Sequence, residues 1–497
     1  SVILYQEGFE EMLKSDAGGS GREGDPYLSG ADYNREGKNR FYLKTTESTD
    51  SQTGELYPAR WFPVMVKAFE VEKEKIPENT RNYLLNNFDR INKIIYLGKK
   101  SDLSDNLIQG ETIDLGGSLL FPGVVDPHVH FRDPGLTQKE NFFTGSRAAV
   151  AGGITTVCDM PNTEPPTDSL DNFNEKKKIG EAKSLVDFGL HAMLIESLEE
   201  RKKLGSAGVT SFKLYPEISD DSNVLTFRDE KEIVSIHPED PRVLGEHVDT
   251  GGDFETFLQS RPKQAEISEI NKILGSAAGS HLHFCHLTAR ESLDLIGKEN
   301  KKITCEVTPH HLLLDRSHLQ EFGPIAKTYP PLRTRKDRKA LLEGLEDGMI
   351  DIVATDHAPH TSEEKEKGLM EAPPGIAGIE TSLPLIYTLV EKGKLSLYRL
   401  VEAMCLSPAK IFGLVNDEGI PKGALLPGAD ADLVALDHEQ KWEIKGRDLH
   451  GKTKFTPFEG QEVSGRPFLT LVRGEIVFRD GYVTGEEGHG KFLPKKE

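Results

Sequence analysis

Hydrophobic positions fall into distinct regimes along the 497-residue chain. Residues 1–60 are polar and rich in Gly, Ser, Asp and Glu, as in SDAGGSGREGDPYLSGADYNREGKN. They are expected to form a polar N-terminal extension, loop or partly disordered. Between 61 and 120, short apolar alternations (WFPVMVKAFEV, KIIYLG, ETIDLGGSLLFPG) are separated by charged spacers and predict strands of a small β unit. From 121 to 415 the pattern changes to short apolar runs, each followed by a polar loop and a helix-like stretch. The runs are GSLLFPGVVDPHVHF, GGITTVCDM, LVDFGLHAML, GVTSFKLY, EIVSIHPED, SHLHFCHL, KITCEVTPHH and DIVATDHAPH. Eight strands alternating with helices predict an α/β fold, a (β/α)8 TIM-like barrel. A doubly wound sheet competes, but its glycine-rich phosphate fingerprint is missing. After 415 strands return (GALLPGADADLVALD, KWEI, LTLVRGEIVFRDGYV). Segments 61–120 and 416–497 are therefore expected to form one composite β domain built from both chain ends.

Composition narrows the function classes. The chain carries 81 acidic and 61 basic side chains, a net charge of −20, which argues against a nucleic-acid binder and a polybasic membrane anchor. No apolar run reaches the ~18 residues that a membrane span needs. The opening SVILYQEGFEEML lacks the basic and apolar regions of a secretory signal, and Ser1 in place of Met leaves a trimmed chain or a fragment open. Four cysteines (Cys158, Cys285, Cys305, Cys405) are too few for a disulfide scaffold, and a reducing cytoplasm is the expected compartment.

Histidine placement carries the chemistry. Most histidines between 128 and 360 end predicted strands, on the face where barrels build active sites. His128 and His130 stand at i and i+2 of a strand, so both imidazoles point the same way and can share a metal. Lys213 ends VTSFKLY. It is either a snorkelling surface lysine or a strand-end lysine that CO2 would convert into a metal-bridging carbamate. His237 and His286 end the next two strands and each can give an imidazole to a second metal. His247 in a charged loop, and His281 and His283 inside a strand, are the alternatives. Asp356 closes the last apolar run, and a buried carboxylate there needs a partner. Next to two metals it can bind one and accept a proton from an attacking water. Four histidines, a lysine and an aspartate form an N/O site suited to zinc or a similar borderline ion.

In this order, HVHFRDPG, MPNTEPPT, FKLY, CHLTARES, CEVTPHH and TDHAPHT resemble the amidohydrolase superfamily, and within it the long, type I dihydroorotases. The likeness runs from about residue 95 to 485 and takes in PGADADLVALD, KFTPFEGQEVSG and VRGEIVFRDG. It implies a binuclear zinc centre. His128, His130, Lys213 and Asp356 would hold the first ion; carbamylated Lys213, His237 and His286 would hold the second. The family writes His-Ala-Glu where this chain has His237-Pro238-Glu239, and His237 is preferred over His247 because it follows the β-branched run EIVSI.

The resemblance also implies that Arg132, Asn162 and His360 bind the substrate carboxylate, a set that hydantoinases and dihydropyrimidinases generally lack. The bland readings are a loop salt bridge between Arg132 and Asp133, and a turn cap by Asn162 before Pro165 and Pro166. Gly375 and Gly378 fit a loop whose backbone approaches the ring, and PEISDDSNV after Lys213 reads as a mobile lid. Cys285 and Glu306 offer an auxiliary metal position, with a buried thiol as the preferred reading.

The implied activity is reversible cyclisation of N-carbamoyl-L-aspartate to L-dihydroorotate in de novo pyrimidine biosynthesis. The nucleophile would be a metal-bridged hydroxide, with Asp356 as general acid and base. Another cyclic amidase (hydantoinase, dihydropyrimidinase or allantoinase) is the alternative. A non-catalytic scaffold is the third, although such chains lose metal ligands and here each position is filled. The expected partner is a small-molecule substrate, with no nucleic acid and no membrane. Homo-oligomerisation and association with other pyrimidine-pathway enzymes stay open.

Overall fold

A computed structural model describes residues 2–7, 40–45, 93–99, 111–217, 232–244, 254–276, 281–297 and 302–496. Its centre is a ring of parallel strands: β1 (Val124–Val129), β2 (Ile154–Asp159), β3 (Asp187–Leu190, resuming as Ala192–Met193), β4 (Phe212–Leu214), β5 (Ile233–Ile236), β6 (His281–Phe284), β7 (Ile303–Val307) and β8 (Ile352–Val353). Each pairs in parallel with the next. Val129 bridges His357 beyond β8, and the His130 N–H donates to the His357 carbonyl at 2.8 Å, which closes the ring. The expected TIM-like barrel is the fold, and its strands come from the eight apolar runs. β1, β2 and the Asp187–Leu190 part of β3 are buried along their whole length, as parallel strands covered on both faces must be.

The helices between strands follow local signals. Residues Arg335–Glu346 form a helix because Thr334 and Asp337 make a reciprocal capping box at its start. Its buried Leu341 and Leu345 face the barrel core, and Gly344 lets Leu293 approach where a Cβ would stand 2.8 Å from it.

The small β region is composite. Leu119–Pro122 pairs antiparallel with Leu433–Glu443, which continues through Glu462–Val472, Glu475–Arg479 and Tyr482–Val483. A second sheet joins Ile94–Lys99, Val2–Glu7, Arg40–Thr45 and Glu111–Asp114. The two chain ends share one apolar cluster, in which Ile94, Ile113 and Leu120 pack with Ala431, Leu433 and Leu471. Beneath it, Lys422 Nζ donates to Asp187 at 2.7 Å and to Asp430 at 2.8 Å, and also pairs with Asp432. With Arg473 on Asp187 and Lys93 on Asp430, that ammonium offsets the acid cluster and ties the β region to β3.

Two details differ from the sequence reading. The first 60 residues are not only a polar extension, because they supply the strands Val2–Glu7 and Arg40–Thr45. The run GSLLFPGVVDPHVHF is not one strand. It changes sheet at Gly123, where a Cβ would stand 2.1 Å from Thr155 Oγ1. WFPVMVKAFEV and most of PEISDDSNV lie outside the described residues.

Candidate active site

The ends of β1, β4, β5, β6 and β8 bring the candidate ligands together. His128 and His130 leave β1, Lys213 sits in β4, His237 follows β5, and His286 and Asp356 follow β6 and β8. Asp356 Oδ1 lies 3.2 Å from His128 Nε2 and 3.0 Å from His130 Nε2. His286 Nε2 stands 3.1 Å from His237 Nδ1. Ligand atoms of His128, His286 and Asp356 all lie within 4.8 Å of one another, so one cluster links all four imidazoles to the carboxylate.

Carboxylate and amide groups set the imidazole tautomers. His128 Nδ1 bonds Glu306, His130 Nδ1 meets Asn162 Oδ1 at 2.7 Å, and His237 Nε2 meets Glu239 Oε2 at 2.9 Å. Each of these oxygens accepts an N–H, which turns the opposite ring nitrogen toward the cluster, where it meets Asp356 or His286 and would offer its lone pair to an ion once it gives up any proton. His286 Nδ1 is buried and has no hydrogen-bond partner among the described residues. This inward-facing donor set of nitrogen and carboxylate oxygen fits a borderline divalent ion.

Lys213 is fully buried, which removes the surface-lysine reading, and its Nζ lies 2.9 Å from Cys285 Sγ. Cys285 is a fully buried thiol, the preferred reading, and its Sγ lies within 4.8 Å of ligand atoms of His128 and Glu306. His281 and His283 are wall residues: both bond Thr304 Oγ1, at 2.9 Å each, and His283 also meets Glu306 at 3.1 Å. His247 lies outside the described residues.

Electrostatics follow from burial and pairing. Burial opposes charge on Asp356, but attraction to His128 and hydrogen bonds from His128 and His130 outweigh it and hold the carboxyl well below its usual range. Burial, reinforced by repulsion from His237, pushes His286 well below the usual histidine value. For His128 burial is overcome by Glu306 and Asp356, and the imidazole is raised.

The backbone is bent where chemistry is expected. Among the described residues five non-glycine positions have positive φ, and they include Arg132 (62°), His286 (36°) and Asp356 (46°). Such conformations cost energy and are kept where a side chain must be aimed.

Arg132 is buried, with Nη2 3.4 Å from His360 Nε2 and Nε 3.4 Å from the Pro359 carbonyl. The salt bridge to Asp133 does not form, because Asp133 pairs with Lys183 at 2.8 Å. Among the described residues no carboxylate lies within ion-pair distance of Arg132. Asn162 does not cap the proline turn but accepts from His130. His360 Nε2 meets the Pro374 carbonyl at 2.9 Å, so its donor is already engaged. Burial first, then Arg132, Lys365 and Lys139, lower the His360 imidazole to about 3.

A Cβ at Gly375 would stand 2.4 Å from the Ala358 carbonyl oxygen, whereas at Gly378 the nearest atom is 4.0 Å away. Gly375 is thus demanded by the protein itself, and Gly378 faces open space. Sequence reading passed over Glu239 as a second-layer carboxylate. Its signal was the His-Pro-Glu spacing, which returns the carboxylate to the same imidazole.

A model of the amidohydrolase family matches residues 119–477. The dihydroorotase of Methanothermobacter thermautotrophicus is 42% identical over 395 residues, covering 77% of this chain and 89% of the relative. That of Methanosarcina mazei is 37% identical over 451 residues, covering 84% and 97%. Among solved structures, the L-hydantoinase (dihydropyrimidinase) of Arthrobacter aurescens aligns with TM-score 0.72 at 35% identity, over 76% of this chain and 90% of that one. The D-hydantoinase of a Thermus species aligns with TM-score 0.73 at 29% identity, over 80% and 92%.

Proposed function

The chain belongs to the amidohydrolase family, and from that premise we propose that it is a cyclic amide hydrolase of the dihydroorotase kind. It interconverts N-carbamoyl-L-aspartate and L-dihydroorotate. The single observation that carries the choice over a hydantoinase is Arg132. It is a buried guanidinium without an ion-pair partner among the described residues. A substrate carboxylate supplies the missing counter-charge through a bidentate fork. The solved neighbours are hydantoinases, while the similar curated sequences are dihydroorotases.

Two zinc ions would fit this donor set: His128, His130, Lys213 and Asp356 would hold one, and Lys213, His237 and His286 the other. Lys213 would serve both as its carbamate, and its burial supports that role, because a bare ammonium there would face two cations. A bound ion supplies Lewis-acid polarisation of the amide carbonyl and a water acidified toward neutral pH. Asp356 takes the proton of the attacking water at Oδ1 and returns it to the leaving ring nitrogen. Arg132 holds the substrate carboxylate, and His360 joins it when its Nε2–H leaves the Pro374 carbonyl. Asn162 contributes its amide while orienting His130, and Gly375 and Gly378 keep the adjoining loop close. Cyclisation runs the same steps backward and consumes a proton as the carboxylate loses water, so acid favours ring closure. No helix among the described residues is long and apolar enough to cross a membrane. A cytoplasmic place in pyrimidine synthesis, and the domain division at 60, 120 and 415, belong to the same reading.

The test is turnover. Zinc-loaded protein is incubated with N-carbamoyl-L-aspartate and dihydroorotate is followed, beside a chelated control and a hydantoin and allantoin panel. Metal-dependent conversion of carbamoyl-aspartate alone is expected. Faster turnover of hydantoin would move the assignment to the hydantoinases.

A further inference from the structure

On the strand-end face, beside the histidine cluster, lies a cavity of about 440 Å3 that the proposed reaction does not use. Its walls come from the segments after β5, β6 and β7, and they carry Lys263, Arg290, Arg316, Arg333 and Lys336. Five cations converge there in a chain whose net charge is −20. Two carboxylates also line the space and Glu255 pairs with Arg316 at its edge, leaving an excess of two positive charges. Both are engaged: Glu291 accepts from Lys263 at 2.5 Å, and Asp337 accepts from the Thr334 N–H at 3.2 Å. Arg316 is paired with Glu255. Among the described residues Arg290 and Lys336 have no ion-pair partner, and Arg333 Nη2 is buried without a hydrogen-bond partner.

Cations gathered this way repel one another until an anion joins them. A lone carboxylate would offset only one charge. A phosphate ester brings about −1.5 to −2 and three acceptor oxygens suited to guanidinium forks. Leu258, Pro262 and Leu332 add an apolar wall, and the volume lies in the range of small-molecule sites, so the ligand has an organic body as well as a charged end.

We propose that this cavity binds a phosphorylated small molecule through Arg290, Arg333 and Lys336, and that its occupancy is felt at His237. The path is short. Arg333 Nη1 donates to the Arg261 carbonyl at 2.5 Å, and Arg261 Nη1 donates to Glu239 Oε2 at 2.5 Å. The same oxygen accepts from His237 Nε2 at 2.9 Å. A phosphate that draws Arg333 toward the cavity loosens its hold on Arg261 and so shifts the carboxylate that orients His237. The second half of the proposal rests on His237 being a metal ligand; the first does not.

The experiment is titration calorimetry on the full metal-loaded chain with inorganic phosphate, inorganic pyrophosphate and ADP. It is run on the wild type and on Arg290→Gln/Lys336→Gln, whose two positions are exposed. Pyrophosphate or ADP should bind the wild type and lose about tenfold or more in affinity in the double variant. Ligand-free turnover of the variant should stay at the wild-type value. Tighter binding of ADP than of pyrophosphate assigns the organic body to the apolar wall, and equal binding limits recognition to the phosphates. No binding of any probe, or equal affinity in the variant, overturns the site. Turnover unchanged by a saturating probe overturns the link to His237. Because binding is read as heat, failure of the site is distinct from failure of the dihydroorotase reading.

Discussion

At the scale of single residues, the site depends on side chains whose outer atoms are fixed by a neighbour. Glu306, Asn162 and Glu239 hold His128, His130 and His237 by one ring nitrogen and leave the other turned inward. Arg132 is different, because its neighbours offer only a carbonyl and an imidazole at 3.4 Å. Its role is therefore exposed by substitution. Arg132→Met should reduce kcat/KM for dihydroorotate by about a hundredfold, as expected when one partner of a buried charged pair is removed. Turnover of an uncharged cyclic amide should change little. An equal loss on both substrates, measured side by side, would make Arg132 a structural residue.

At the scale of elements, the barrel strands aim the ligands and the loops after them hold the substrate end. The loop after β8 is the most constrained. Asp356 has a φ of 46°, and Gly375 has a φ of 140° with its N–H donating to the Lys327 carbonyl at 2.8 Å. An alanine there would meet the Ala358 oxygen at 2.4 Å and the His360 ring at 3.2 Å. Gly375→Ala should therefore cost about 1–3 kcal/mol of stability and raise KM by displacing His360. Gly378→Ala should leave stability nearly unchanged. Urea denaturation of the two variants checks this contrast, and equal stability losses would contradict it.

At the scale of the whole molecule, contacts far apart in sequence lock the C-terminal β region onto the barrel. His450 is one of them. Its Nδ1 lies 2.8 Å from Glu380 Oε1 and its Nε2 lies 3.1 Å from the Gly481 carbonyl, so the protonated ring satisfies both acceptors. The hydrogen bond to Glu380, opposed by burial and aided by the carboxylate charge, raises this imidazole above the ordinary 6.5. A raised histidine stabilises the fold fully below its unfolded value and loses that contribution as pH rises through its folded value. The stability gap between wild type and His450→Ala should be about 1 kcal/mol at pH below the ordinary histidine value and shrink as pH rises through the raised folded value. Thermal denaturation across that range checks it, and a gap that widens with pH would reverse the assignment.

The sequence by itself determined the barrel and the cluster's composition. Apolar runs buried on both faces leave a parallel strand few alternatives, and a polar residue ending such a run must sit at the strand-end rim. The strand-end placement of His128, His130, Lys213, His237, His286 and Asp356 was legible for that reason. Tertiary structure decided which neighbours finish each residue. The strands Val2–Glu7 and Arg40–Thr45 gain their meaning only from pairing with residues 94–99 and 111–114. The Glu306 bond to His128 spans 178 positions, and Asp133 was taken from Arg132 by Lys183, 50 positions away. Local periodicity reports which face is buried. It carries no record of which distant side chain arrives there, because that is set by how the closed barrel brings its loops together.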